Sequence, residues 1–160
     1  MHAPSPASPL LITAFNGLVV AHDRTDGTRQ WTFTVPSQSV PGVRPRPTLA
    51  EVHDDGVFVL AGASEGSWKK RAFVEVYALD ASSGRLRWAQ RVEGSPTPVF
   101  AGGAMLVEGG QVIVAYNDVL VAFAAASGEV QWNQGNEHGG SAHMPLIQMS
   151  TLGTRARQLL

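Results

Sequence analysis

The chain has 160 residues, 44% of them apolar and 16% charged, with a formal net charge of −1. That balance excludes a disordered charged tail and gives no bulk attraction to nucleic acid or an anionic membrane. With no cysteine, disulfides, thiolate nucleophiles, cysteine zinc sites and iron–sulfur clusters are excluded too, and 17 glycines with 10 prolines favour short strands and turns over long helices.

Residues 1–9 are rich in Pro and Ser and read as a flexible lead-in. They carry neither the basic start nor the apolar core of a secretory signal, so the expectation is a cytoplasmic chain, or a periplasmic one if this sequence is a fragment of a longer protein. No apolar run approaches the roughly eighteen residues of a membrane span. The first predicted elements are a strand at Leu10–Phe15, a hairpin turn at Asn16-Gly17 and a strand through Leu18-Val19-Val20. A turn ending in Gly27 then leads to an outgoing strand that finishes on Trp31.

The same order returns twice. The second unit has strands at Thr48–Val52 and Val57–Ala61, a loop at Ser64–Arg71, a strand at Phe73–Tyr77, and a turn and strand running to Trp88. The third has strands at Val99–Ala101 and Gln111–Tyr116, a turn at Asn117-Asp118, a strand at Val119–Val121, and a turn and strand running to Trp132. β-branched and aromatic residues suit a pleated, half-buried surface, and glycine supplies the positive φ of the turns. Aligned without gaps, the three units share Ala, five residues, Gly, three residues, Trp: Ala21, Gly27 and Trp31; Ala78, Gly84 and Trp88; Ala122, Gly128 and Trp132. Asp23 and Asp80 add a second shared position, which Ala124 fills in the third unit.

Four antiparallel strands in about 44 residues, ending on a fixed Trp, is the arithmetic of a β-propeller blade. The frame resembles the repeat of the PQQ-like (pyrroloquinoline-quinone-like) β-propellers of the quinoprotein alcohol dehydrogenase-like superfamily. That repeat reads Ala-x-Asp-x-x-Thr-Gly-x-x-x-Trp, the tryptophan-docking motif; here Asp26, Ser83 and Ser127 stand in place of its Thr. The resemblance implies that Trp31, Trp88 and Trp132 are docking residues between neighbouring blades. The expected fold is therefore all-β, a partial propeller of about three four-stranded antiparallel blades at residues 10–36, 47–93 and 98–134. Residues 135–160 are expected to form a Gly-rich linker and an incomplete next blade, with His143–Met149 as its first strand.

Two function classes follow. The first is a non-enzymatic scaffold or protein-binding module, partnered by another protein or by further copies that complete the propeller, with neither nucleic acid nor cofactor expected. Its candidate binding loop is the basic aromatic cluster Trp68, Lys69, Lys70 and Arg71. The alternative is a fragment or subunit of a quinoprotein dehydrogenase, for which the resemblance implies pyrroloquinoline quinone with calcium. Absence of cysteine rules out the vicinal disulfide that often packs on that quinone. No set of residues maps to a catalytic or cofactor site. Glu137, His138 and His143 are spaced as a weak metal candidate, and His22-Asp23 and His53-Asp54 as weak acid–base pairs.

Overall fold

The computed structural model describes residues 8–15, 17–36, 41–43, 45–95, 103–135, 150–151, 154–155 and 157–158. Among these every regular element is a strand, and no helix is long and apolar enough to cross a membrane. The fold is a partial β-propeller of antiparallel sheets.

The first sheet has order β1-β2-β3, from Leu10–Phe15, Leu18–Asp23 and Arg29–Thr34. The second has order β4-β5-β6-β7, from Arg46–His53, Gly56–Glu65, Arg71–Asp80 and Leu86–Val92. The third contains β8 (Ala104–Glu108), β9 (Gln111–Tyr116), β10 (Val119–Ala124) and β11 (Val130–Gly135). Two-residue strands follow: β12 at Ser150–Thr151, β13 at Thr154–Arg155 and β14 at Arg157–Gln158. β12 and β13 pair with each other, and β14 adds to the free edge of β8, making the third sheet five-stranded.

Three details differ from the sequence-based expectation. The leading strand of the third unit is Ala104–Glu108, directly before the Gly109-Gly110 turn. It is buried on both faces from Ala104 to Val107, so it shows none of the alternation that marks a half-buried strand. The Val99–Ala101 and His143–Met149 strands lie outside the described residues. The expected Ser64–Arg71 loop is shorter than that: Ser64 pairs with Ala72 and Glu65 with Arg71, leaving a turn at residues 66–70 between them. Arg157–Gln158, expected in a further blade, pairs with the third sheet instead.

The repeated frame has one backbone solution. Ala21 sits opposite Trp31, Ala78 opposite Trp88 and Ala122 opposite Trp132, and in each pair of strands the register shifts immediately after that Ala. Such a bulge twists the strand locally, and the small Ala leaves room for the indole across from it. Two apolar seams join the sheets. Trp31, Val19 and Ala21 meet Val57, Val59, Tyr77 and Leu79 between the first and second sheets. Phe58, Leu60, Val76 and Trp88 meet Met105, Val112, Val114 and Phe123 between the second and third.

Candidate functional site

Each seam is closed by one tryptophan reaching into the next sheet's turn. Trp31 Nε1 donates to the Ala81 carbonyl at 2.8 Å, and Trp88 Nε1 donates to the Ala125 carbonyl at 2.9 Å. A glycine follows three residues after each accepting carbonyl. A Cβ on Gly84 would fall 2.6 Å from the Trp31 ring, and one on Gly128 would fall 2.6 Å from the Trp88 ring. Only glycine lets the ring lie this close, and both glycines have positive φ, 69° and 75°. Trp88 is further enclosed by Phe58 and Phe123, with ring centroids 6.2 and 6.1 Å away. Trp132 is half-buried and belongs to neither seam.

The turns that receive the indoles are built by local polar chemistry. Asp80 Oδ1 accepts from the backbone N–H groups of Ser82 and Ser83 and from both hydroxyls, at 2.6–3.0 Å. Its other oxygen takes Arg87 at 2.7 Å, and the same guanidinium grips Asp55 at 2.8 and 3.0 Å. The Ser82 bond first, then Arg87 and Ser83, hold the Asp80 carboxyl far below the usual carboxylate range. Arg87 does the same to Asp55, more mildly. Asp23 repeats the turn bond in the first sheet, accepting from the Thr25 N–H at 2.7 Å. Ala124 has no such side chain, yet its turn keeps the backbone bond from the Gly128 N–H at 2.8 Å.

The second feature is an arm. β5 and β6 share ten cross-strand pairs, where β1–β2 and β9–β10 share six. The extra pairs carry a tight tip at Gly66 (φ 88°), where a Cβ would fall 2.5 Å from the Lys69 carbonyl oxygen. At that tip Trp68 is 94% exposed, and Lys69 and Lys70 are exposed beside it. Arg71 is set apart from them, starting β6 in an ion pair with Glu93 at 3.1 Å. All four side chains of the candidate cluster are thus exposed, and Arg71 is in addition ion-paired.

The arm's base is braced by charges that no short motif announces. Arg91 bridges Glu65 at 2.6 Å and Glu93 at 2.5 Å, and its guanidinium lies 3.9 Å from the Phe73 ring centre. Its bond to Glu65 lowers that carboxyl's pKa. Beneath, the buried Tyr77 hydroxyl sits between the Pro36 carbonyl, 2.5 Å away, and the buried Glu75 carboxylate. Burial, then the Glu75 bond, raises the phenol beyond any physiological titration. These partners meet only through the register of β5, β6 and β7, which spacing along the chain does not display.

The weak sequence candidates for chemistry gain no support. His53 Nε2 lies 3.5 Å from an Asp54 carboxylate that is itself exposed. His22 Nδ1 contacts the Gly27 carbonyl at 3.1 Å, and Thr13 Oγ1 is 3.5 Å from Nε2, beyond the reach of a nucleophile–base pair. Glu137, His138 and His143 lie outside the described residues. Among the described residues no three metal-ligating side chains converge. The acidic pair Asp55 and Asp80 is already held by Arg87. Held in this way, the described carboxylates do not fit a calcium ion beside a quinone.

Comparison with known proteins follows the fold. The chain is similar to BamB from Moraxella catarrhalis, at 19% identity and a TM-score of 0.51, over 81% of this chain and 34% of that one. It is similar to the quinohemoprotein alcohol dehydrogenase ADHIIG from Pseudomonas putida HK5, at 16% identity and 0.56, over 94% and 29%. It is similar also to the quinohemoprotein alcohol dehydrogenase from Comamonas testosteroni, at 15% identity and 0.55, over 79% and 26%. No curated protein sequence matches it. The chain spans about a third or less of the length of these structures, and identities this low show the fold alone. The family profile described as outer membrane protein assembly factor BamB matches residues 15–156. On that match, which takes in all three Ala-Gly-Trp frames, the chain belongs to the PQQ-like β-propeller repeat family.

Proposed function

We propose that the chain is a non-enzymatic interaction module whose β5–β6 arm engages a protein partner. One observation carries this reading: a fully presented Trp68, flanked by Lys69 and Lys70, on a hairpin that outruns its neighbours and is braced at its base. An exposed indole costs solvation and gives the sheet nothing, whereas Trp is enriched among residues that dominate binding energy. The lysines select a partner with an acidic surface around a ring-sized pocket. The name of the matched family, an outer membrane assembly factor, supports an assembly role and an exported location over the cytoplasmic one.

The test is a photo-activatable cross-linker at position 68 of the full chain in its own cell. A defined protein should be captured there, and capture should fall when Lys69 and Lys70 are both changed to Glu. Equal capture from the exposed Leu86, on a different strand, would defeat the reading. The likeness to quinohemoprotein alcohol dehydrogenases supports the competing reading of a dehydrogenase piece. Pyrroloquinoline quinone and calcium added to the purified chain separate the two. A shift in the quinone's absorbance with dye-linked alcohol oxidation would favour the enzyme.

A further inference from the structure

The arm leaves the second sheet at a definite row. The last pair between β4 and β5 is Arg46 with Gly62, and the last between β6 and β7 is Val74 with Val92. Gly62 and Val74 pair with each other, so all four strands share this row. Beyond it β5 and β6 continue through three further pairs, Ala63 with Phe73, Ser64 with Ala72 and Glu65 with Arg71. A two-stranded ribbon is marginal by itself and twists more than a full sheet. Its direction therefore depends on side chains that cross from the four-stranded part to the two-stranded part.

Arg91 makes that crossing from the outer strand. It is rooted one row inside the boundary, where Ala61, Glu75 and Arg91 lie side by side on β5, β6 and β7. Glu65 is four residues further along β5, roughly 13 Å along the strand. The Arg91 guanidinium reaches it over the Phe73 ring, 3.9 Å from the ring centre, and takes Glu65 with Nη2 at 2.6 Å. Its Nε takes Glu93 at 2.5 Å, and Arg71, opposite Glu65 in the last row, returns to Glu93 at 3.1 Å. Glu65, Arg91, Glu93 and Arg71 thus close a ring of alternating charge around the arm's root. Arg91 is its most enclosed member, 18% exposed against 27% for Glu65 and more for the other two, so solvent screens its pairs least. A planar guanidinium can fork between two carboxylates and lie on a ring at the same time.

We propose that Arg91 is the positioning residue of the arm, fixing the direction in which Trp68, Lys69 and Lys70 are presented. Its consequence for binding rests on the reading of the arm as the element that engages a partner. A fixed arm loses less conformational freedom on binding than a swinging one, so Arg91 strengthens capture without touching the partner.

The chain has no cysteine, so two introduced ones carry nitroxide labels at known places. Ser67→Cys labels the exposed tip and keeps Trp68 and both lysines, and Val130→Cys labels an exposed position on β11. Pulsed electron spin resonance should give one narrow distance distribution in this labelled parent. Arg91→Gln and Glu65→Ala should each broaden it by about twofold or more, and the double variant should be no broader than Arg91→Gln, because both act through one contact. Melting temperatures should stay within a few degrees of the parent. Capture by a cross-linker at position 68 should fall several-fold in Arg91→Gln. A distribution as narrow in Arg91→Gln as in the parent, additive broadening in the double variant, or broadening that comes only with a general loss of stability would overturn the proposal. The distances are read without a partner. A parent that captures no protein would therefore defeat the arm's binding role, while the distances alone still decide whether Arg91 positions the arm.

Discussion

At the residue scale, one aspartate carries most of what the second turn needs. Asp80 caps two N–H groups and two hydroxyls and holds Arg87, so its carboxylate is more stable folded than unfolded. Its pKa is lowered on folding, so the stabilisation is present above the unfolded value, about 3.9, and is lost as pH falls through the folded one. Asp80→Asn should therefore lower the melting temperature at neutral pH. The gap to wild type should narrow as acid is added below about pH 4. Asp55 shares Arg87 with Asp80, so the difference between the two curves reports Asp80 together with its coupling to Asp55. A gap that stays constant down to strong acid would show that the turn depends on side-chain shape and not on charge. The matching turn of the third unit, with Ala124 in this place, has no carboxylate to titrate.

At the element scale, the β5–β6 arm is separable from the sheet that carries it. The core of the second sheet uses Val57–Ala61 and Phe73–Leu79, while Ser64 to Arg71 adds pairs beyond that packing. Replacing Ser64–Arg71 with a two-residue Asn-Gly turn should leave the melting temperature within a few degrees, since long surface insertions change loop-closure entropy little. It should abolish cross-linking from the arm. A collapse in stability on trimming would mean that the arm is a structural brace. The exposed Arg71–Glu93 pair is worth at most about 1 kcal/mol, and the partly buried Arg91 keeps Glu93 when Glu65 is removed, which argues against that. What the sequence made legible here follows from what spacing can encode. The Ala-Gly-Trp frame announced strand, turn and strand three times, because a turn glycine and a docking indole each demand one residue type. The strand at Ala104–Glu108 escaped notice because it is apolar on both faces. Arg91 and its glutamates were illegible because their meeting depends on the register of three strands.

At the scale of the whole molecule, sheets stacked through single seams behave as a nearly one-dimensional array, in which each unit is stabilised mainly by its neighbours. The second sheet is covered on both sides, by the Trp31 seam and the Trp88 seam, and the first and third on one side each by the seams described. Trp88→Ala removes a ring that touches Phe58, Phe123 and Gly128, and strips the Ala125 carbonyl of its donor. Loss of a buried indole costs about 3–5 kcal/mol, a large part of a small domain's roughly 5–15 kcal/mol. In a one-dimensional stack that cost falls on one junction. Hydrogen exchange followed by mass spectrometry should show protection falling on the order of a hundredfold across Ala104–Gly135 in Trp88→Ala. The first sheet should change far less. Trp31→Ala should produce the mirror pattern, with Leu10–Thr34 exposed and the third sheet retained. Equal loss across all sheets in both variants would show that the chain opens as one cooperative unit and that the seams are not its weak planes.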